Sequence, residues 1–94
     1  MQDDDFEWDD AKGAQNLANH GVSFEAARLV FDDPFAVARE DRRQDYGEDR
    51  YVVLGMVQDR LLVVAYTLRG TRVRIVSARL AEPPERRRYH EQSS

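Results

Sequence analysis

The chain has 94 residues, of which 41% are hydrophobic and 34% charged, with a net charge of −4 and no cysteine. This length suits one domain over residues 1–94, and the lack of cysteine excludes disulfides, thiolate metal sites and a cysteine nucleophile. The longest apolar run, Leu61 to Tyr66, is far shorter than a membrane-spanning helix of roughly 20 residues. The amino terminus lacks the basic start and apolar run of a signal peptide, so we expect a cytoplasmic protein that does not enter the membrane.

Charge is distributed unevenly along the chain. Residues 1–10 hold six acidic residues and no basic one, whereas residues 60–90 hold eight arginines and two acidic residues. Lys12 is the only lysine among the 14 basic residues. Because a guanidinium group presents a planar fork of donors that fits phosphate, the basic region is a candidate anion-binding surface. The alternative is that these arginines only form a solvated face.

The amino-terminal third predicts a short strand and two helices. Phe6–Trp8 can form the strand, and apolar residues at helical spacing predict a first helix near 10–19. Asp9 is expected to cap the start of this helix, and Gly21 its end. A second apolar stripe predicts a helix over about 24–31.

The remainder predicts a sheet followed by a final helix. A charged segment, 40–49, is expected to be an exposed loop, and the consecutive prolines at 83 and 84 open a helix near 84–92. Four strands joined by short turns are predicted at 35–39, 51–57, 61–68 and 72–80. The pattern predicts an α+β fold in which helices pack on one face of an antiparallel meander and the other face stays open.

The common signatures of metal and nucleophile chemistry are missing. His20 and His90 lie in different predicted elements, and neither has a second ligand at metal-binding spacing. Ser23 is expected to cap a helix and Ser77 lies in a predicted strand, without a Gly-x-Ser-x-Gly elbow or a glycine-rich phosphate loop. We therefore predict no metal site and no cofactor.

Arginines on the last strand are the remaining candidates. Strict alternation places Arg72 and Arg74 together on the open face, where they can contact phosphate. Arg79 alternates to the core side unless a bulge or twist turns it outward. The structural alternative for Arg79 is a helix cap or an ion pair with an acid such as Glu85.

Three further residues have two interpretations each. Glu48 and Arg50 point the same way if the chain is extended there, and a carboxylate beside arginines can be a general base or only a salt-bridge partner. Tyr66 can stack on a nucleobase or pack in the core.

Several segments form a pattern by their order and spacing: Phe6-Glu7-Trp8-Asp9 with Lys12 and Asn16, the segments 20–27 and 30–34, Gly47-Glu48-Asp49-Arg50-Tyr51 with Gly55, the strands 60–64 and 72–79, and Glu85-Arg86 with Tyr89. In this order and spacing they resemble the BrnT family of toxins. The resemblance covers residues 6 to about 90.

This resemblance implies a RelE-like fold and a ribonuclease toxin of a type II toxin–antitoxin system that inhibits growth by cutting RNA. It also implies a BrnA-like ribbon-helix-helix antitoxin, through which the complex binds operator DNA and represses its own operon. The implied reaction is attack by the 2′-hydroxyl of the RNA itself, without a metal ion. The candidate catalytic residues carried over are Lys12, Glu48, Arg50, Arg72 and Arg79, and we expect Arg74, Tyr66 and Arg86 to bind RNA.

The sequence departs from the family pattern in the loop before Gly47. Relatives often have a histidine there, whereas this chain reads Arg43-Gln44-Asp45-Tyr46, so another group must move the proton if that histidine is the family's acid or base. The alternative functions are a non-catalytic module that binds nucleic acid or protein, and a degenerate toxin kept as an operon co-repressor.

Overall fold

The computed structural model describes residues 1–43, 45 and 47–93. Its elements are β1 (Phe6–Glu7), α1 (Asp10–His20), α2 (Phe24–Ala27) with a following 3₁₀ turn (Arg28–Asp32), β2 (Val37–Glu40), β3 (Tyr51–Val57), β4 (Arg60–Arg69), β5 (Arg72–Leu80) and α3 (Pro83–Ser93). This order confirms the predicted α+β class. The second helix is shorter than predicted, because the chain tightens into the 3₁₀ turn where Val30 packs against Gly55 of β3.

The local signals at the ends of the helices are confirmed. The Asp9 side chain accepts a hydrogen bond from the Lys12 backbone N–H, and Ser23 caps α2 in the same way through Ala26. Gly21 ends α1 in the left-handed conformation, with a φ of 70°. In the described part of the chain, none of the helices combines the length and apolar character that crossing a bilayer requires.

The sheet has five strands in the order β1-β5-β4-β3-β2. The predicted antiparallel meander is confirmed for β2 to β5, and β4 lies at its centre. The prediction of a purely antiparallel sheet is wrong, because β1 pairs in parallel with β5 through Phe6 and Val73. The predicted strand at 35–39 begins two residues later, since Phe35 and Ala36 form a turn over Asp33.

Both faces of the sheet carry helices, so the prediction that all helices share one face is wrong. We call the side that packs against α1 and α2 the first face; its core includes Phe24, Leu62 and Ile75. We call the opposite side the second face, where Tyr89 of α3 packs with apolar strand residues. Because β3 and β4 are apolar on both sides, part of the second face needs this cover.

Candidate active site

A β-bulge in β5 decides which face Arg79 occupies. The pairing register shifts between Ala65 and Tyr66, which lie opposite Ser77 and Ile75 respectively. Val76 is the extra residue, so the alternation of side chains shifts by one position after it. Arg79 therefore lies opposite Val63 on the second face. The prediction from strict alternation is wrong for Arg79, and the alternative in which a bulge re-aims it is confirmed.

Arg79 lines a groove on the second face together with arginines from two other parts of the chain. We call this surface the arginine groove; it is lined by Arg39, Arg43, Val52, Val63, Ala65, Ser77, Arg79 and Glu85. The register explains the assembly, because Arg39 lies opposite Val52, Val52 opposite Ala65, and Ala65 opposite Ser77. One row across four strands thus forms a floor of short side chains with a guanidinium group at its β2 end.

Glu85 binds Arg79 at the α3 side of the groove. Two hydrogen bonds join them, from Nη1 to Oε1 at 2.8 Å and from Nη2 to Oε2 at 2.7 Å, and Nη1 also donates to the carbonyl of Leu80. This pairing was the structural alternative for Arg79, and it is confirmed. The hydrogen bonds from Arg79 lower the pKa of Glu85, and the same contact raises the pKa of Arg79. Both groups are therefore charged at neutral pH.

The other groove arginines surround this pair. The positive charge of Arg43 opposes part of the rise in the Arg79 pKa, which reflects their proximity. Arg43 itself binds the buried carboxylate of Asp41 through Nε at 3.0 Å and Nη2 at 2.9 Å, while its side chain stays 72% exposed. An adjacent hollow is lined by Arg39, Arg88 and Glu85, so four arginines border one glutamate.

Arg72 and Arg74 contact the acidic amino-terminal segment. Arg74 Nη1 lies 2.7 Å from Glu7 Oε2, and Arg72 Nε donates to the carbonyl oxygen of Asp3 at 2.8 Å. Lys12 belongs to the same region, because the Asp9 carboxylate feels the charge of both Lys12 and Arg74. Arg72 and Arg74 thus share one face of β5, as alternation predicts, and both contact the amino-terminal segment, while their contact with phosphate stays a prediction.

Glu48 and Arg50 line a different, largely acidic pocket. Its other lining residues are Glu40, Asp41, Arg42, Asp45 and Asp49. Glu48 lies 3.6 Å from Arg69, which fits the salt-bridge interpretation of this residue. In the described ranges, no group of three or more His, Cys, Asp or Glu residues could hold a metal ion. Two positions of the stretch where relatives have a histidine, Gln44 and Tyr46, lie outside the described residues.

Tyr66 and Arg86 also lie outside the groove lining. The Tyr66 ring is buried between the rings of Phe31 and Tyr51, at centroid distances of 5.1 and 5.5 Å. Tyr66 therefore packs in the core, and a nucleobase cannot reach its ring for the expected stacking. Arg86 is exposed on α3. The five candidate catalytic residues thus divide among the groove, the acidic pocket and the β1 edge.

Sequence reasoning missed Arg39, Arg43 and Arg88. The sequence does contain a signal for Arg39. The strand Val-Ala-Arg-Glu pairs with the apolar β3, and this pairing places Arg39 on the same face as Val52. Using it requires the register of β2, which the sequence leaves open.

Comparison with known families gives one match. The model of a family described as ribonuclease toxin, BrnT, of type II toxin–antitoxin systems matches residues 8–85 of the chain. No curated protein matches the chain. The matched range includes Arg39, Arg43, Arg79 and Glu85 of the arginine groove.

Proposed function

Since the chain belongs to the BrnT family of ribonuclease toxins of type II toxin–antitoxin systems, we propose that it cuts RNA without a metal ion and binds the scissile phosphate in the arginine groove. The observation that supports this location is the meeting of Arg39, Arg43 and Arg79, from separate parts of the chain, around one floor of short side chains. Arginine forks bind phosphate oxygens in a bidentate manner.

The chemistry proposed is attack by the 2′-hydroxyl of RNA on the adjacent phosphorus. This reaction needs no protein nucleophile, so the protein has to align the hydroxyl with the leaving 5′-oxygen and stabilise the charge that builds up on the phosphorane. The groove arginines supply that positive charge. DNA is expected to bind without being cut, because it lacks the 2′-hydroxyl.

Arg79 has donors left for this task. A guanidinium group has five N–H donors, and within the described residues the hydrogen bonds of Arg79 occupy both on Nη1 and one on Nη2. The Nε–H and the second Nη2–H lie on the same side of the group. Arg79 can therefore hold Glu85 end-on and offer its other edge to a phosphate.

The decisive experiment is cleavage of RNA by the purified protein in EDTA. We expect products with 2′,3′-cyclic phosphate ends, and a rate that falls at least about 100-fold in Arg79→Ala, as for loss of one transition-state donor. Arg87→Ala, an exposed arginine of α3 outside the groove lining, is the matched control and should cleave like the wild type. Intact RNA with salt-sensitive binding would instead identify a non-catalytic binding module.

The remaining family-derived candidates enter the same assay. Lys12, Glu48, Arg50 and Arg72 are proposed catalytic residues on the resemblance alone, and Arg74 and Arg86 are proposed RNA contacts. A variant that loses activity while keeping its melting temperature supports such a role.

We propose that the partner is a BrnA-like ribbon-helix-helix antitoxin, which also binds the complex to operator DNA. We propose that the protein acts in the cytoplasm, where RNA is found. A BrnA-like antitoxin that binds this chain, added to the cleavage assay, should stop the reaction. Continued cleavage in a stable complex would contradict neutralisation by binding. A RelE-like relationship of the fold is part of this proposal.

A further inference from the structure

We infer that Glu85 is the general base that removes the proton from the attacking 2′-hydroxyl, an inference that rests on the proposed function. A metal-free reaction of this kind needs a proton acceptor beside the bound phosphate. Glu85 is the carboxylate that lines the arginine groove, and it also borders the hollow between Arg39 and Arg88. Glu48, for which the sequence left open a general base or a salt-bridge partner, lies in the acidic pocket beside Arg69.

The position of Glu85 is fixed from two directions. Arg79 holds both carboxylate oxygens, and Oε1 also accepts a hydrogen bond of 2.8 Å from the backbone N–H of Glu82, which closes the start of α3 in the manner of a capping box. Each carboxylate oxygen has two lone pairs, so Oε2 retains one for a further proton or hydrogen bond. A phosphate on the Nε edge of Arg79 would then share one guanidinium group with this carboxylate.

The charges around Glu85 keep it in the form that can accept a proton. Arg79 of β5 faces it directly, Arg88 comes from its own helix, and Arg39 and Arg43 come from β2 and the loop that follows. The hydrogen bonds from Arg79, then the backbone N–H of Glu82 and the charge of Arg88, lower the pKa of Glu85 against the effect of burial, so the carboxylate is ionised at neutral pH. A phosphate that takes up part of the positive charge of Arg79 would make Glu85 more basic when substrate binds.

The step balances as a transesterification. The 2′-O–H proton passes to Oε2 of Glu85, the 2′-oxygen forms a bond to phosphorus, and the bond from phosphorus to the 5′-oxygen breaks. The 5′-oxygen leaves with the bonding electrons and takes a proton from water, and Glu85 returns its own proton to water. The products are a 2′,3′-cyclic phosphate and a 5′-hydroxyl.

The test compares Glu85→Gln with Glu25→Gln, an exposed glutamate of α2 outside the groove lining, in the full chain. Glutamine keeps Oε1 as an acceptor for the Glu82 N–H and for Arg79 Nη1, whereas its amide nitrogen replaces Oε2 and cannot take the proton. We expect the cleavage rate at pH 7 to fall at least about 100-fold in Glu85→Gln, with the acid limb of its pH–rate profile lost, since a general base contributes roughly 10²–10⁴-fold. Glu25→Gln should keep the wild-type rate and profile.

Two further measurements separate a base from a structural role. Binding of a 2′-O-methyl RNA, which cannot be cut, should stay within about threefold of wild type in Glu85→Gln, and formate should partly restore cleavage to Glu85→Ala. Wild-type cleavage by Glu85→Gln, or its loss of 2′-O-methyl RNA binding along with cleavage, would overturn this inference alone. A wild-type protein that cuts no RNA would overturn the proposed function as well.

Discussion

At the residue scale, Asn16 connects the first helix to the strand that carries Arg79. Its amide nitrogen donates to the carbonyl oxygens of Val22 and Ala78, both at 2.8 Å, and its oxygen accepts from the Ala78 N–H at 3.1 Å. The side chain is 7% exposed, so these bonds lie away from water. Asn16 thus holds both backbone groups of the residue before Arg79, just beyond the bulge.

We expect Asn16→Leu to lower the free energy of unfolding by about 2–4 kcal/mol, because it leaves three buried backbone groups without their partner. Urea denaturation measures this change, and Gln15→Leu on the exposed side of α1 serves as the control, with an expected effect under about 0.5 kcal/mol. Equal stabilities for the two variants would show that the amide network contributes nothing to the bulged register.

At the element scale, α3 is held to the rest of the molecule through a partly buried hydrogen bond. The Tyr89 hydroxyl donates to Asp33 Oδ2 at 2.6 Å, and Asp33 also accepts from the N–H groups of Met56 and Phe35 at 2.7 and 2.9 Å. Burial opposes the ionised form of Asp33, but these hydrogen bonds outweigh it and its pKa is lowered. Because α3 also carries Glu85 and Arg88, this anchor sets the position of one side of the arginine groove.

The same bond predicts a pH-dependent stability. Burial first, and then the hydrogen bond to Asp33, raise the pKa of Tyr89 to about 12. A raised pKa means that the contribution is complete below the unfolded value near 10 and is lost as the pH rises from about 10 to 12. Tyr89→Phe should therefore cost about 2 kcal/mol at pH 7, as for a hydrogen bond to a charged acceptor, and less at pH 11.

Chemical denaturation of Tyr89→Phe, Asp33→Asn and the double variant measures the coupling directly. At acidic pH the lowered pKa of Asp33 gives stability the opposite dependence on pH. The contribution of ionised Asp33 to stability is present above its unfolded pKa near 4 and is lost as the pH falls below that value. A coupling that stayed constant from pH 7 to pH 11 would contradict the assignment of the Tyr89 proton to this bond.

How far the sequence predicts these elements depends on whether their signals are local. Caps at Asp9 and Ser23 and the strands β3 to β5 follow from neighbouring residues, and they were predicted. The sequence does not determine the bulge, because Ile75 and Val76 are both apolar and either one could face the core. The parallel pairing of β1 and the face chosen by α3 depend on distant partners, and among the described side chains of α3 the buried cluster on the second face includes Tyr89.

The candidate site was harder to predict than the fold for the same reason. Arg79 was found as a candidate, but its companions Arg39 and Arg43 come from an edge strand and a loop whose placement depends on register. The family resemblance instead grouped Arg79 with Arg72. In the structure these two residues lie near opposite ends of β5, roughly 20 Å apart at about 3.3 Å per residue.

At the scale of the whole molecule, the net charge of −4 does not describe the surface that RNA would meet. The acidic amino-terminal segment pairs with cations near the β1 edge, through Glu7 with Arg74 and through Asp3 with Arg28. This pairing neutralises one end of β5, while the arginines of the groove lie at the other end. The fold therefore separates a compensated edge from a locally positive one.

This separation predicts which arginines make RNA binding depend on salt. The four arginines around the groove face Glu85 and Asp41, which leaves a net charge of +2 to neutralise phosphates. Binding of 2′-O-methyl RNA should therefore weaken roughly 7-fold between 50 and 200 mM salt, a slope of about −1.4 in a plot of log affinity against log salt. Fluorescence anisotropy measures that slope. Arg39→Ala should reduce it by about 0.7, because one phosphate contact is lost, whereas Arg28→Ala should leave it unchanged, because Arg28 already neutralises Asp3. Equal reductions in the two variants would place the RNA across the β1 edge as well, as the sequence first suggested, and would contradict the arginine groove as the main binding surface.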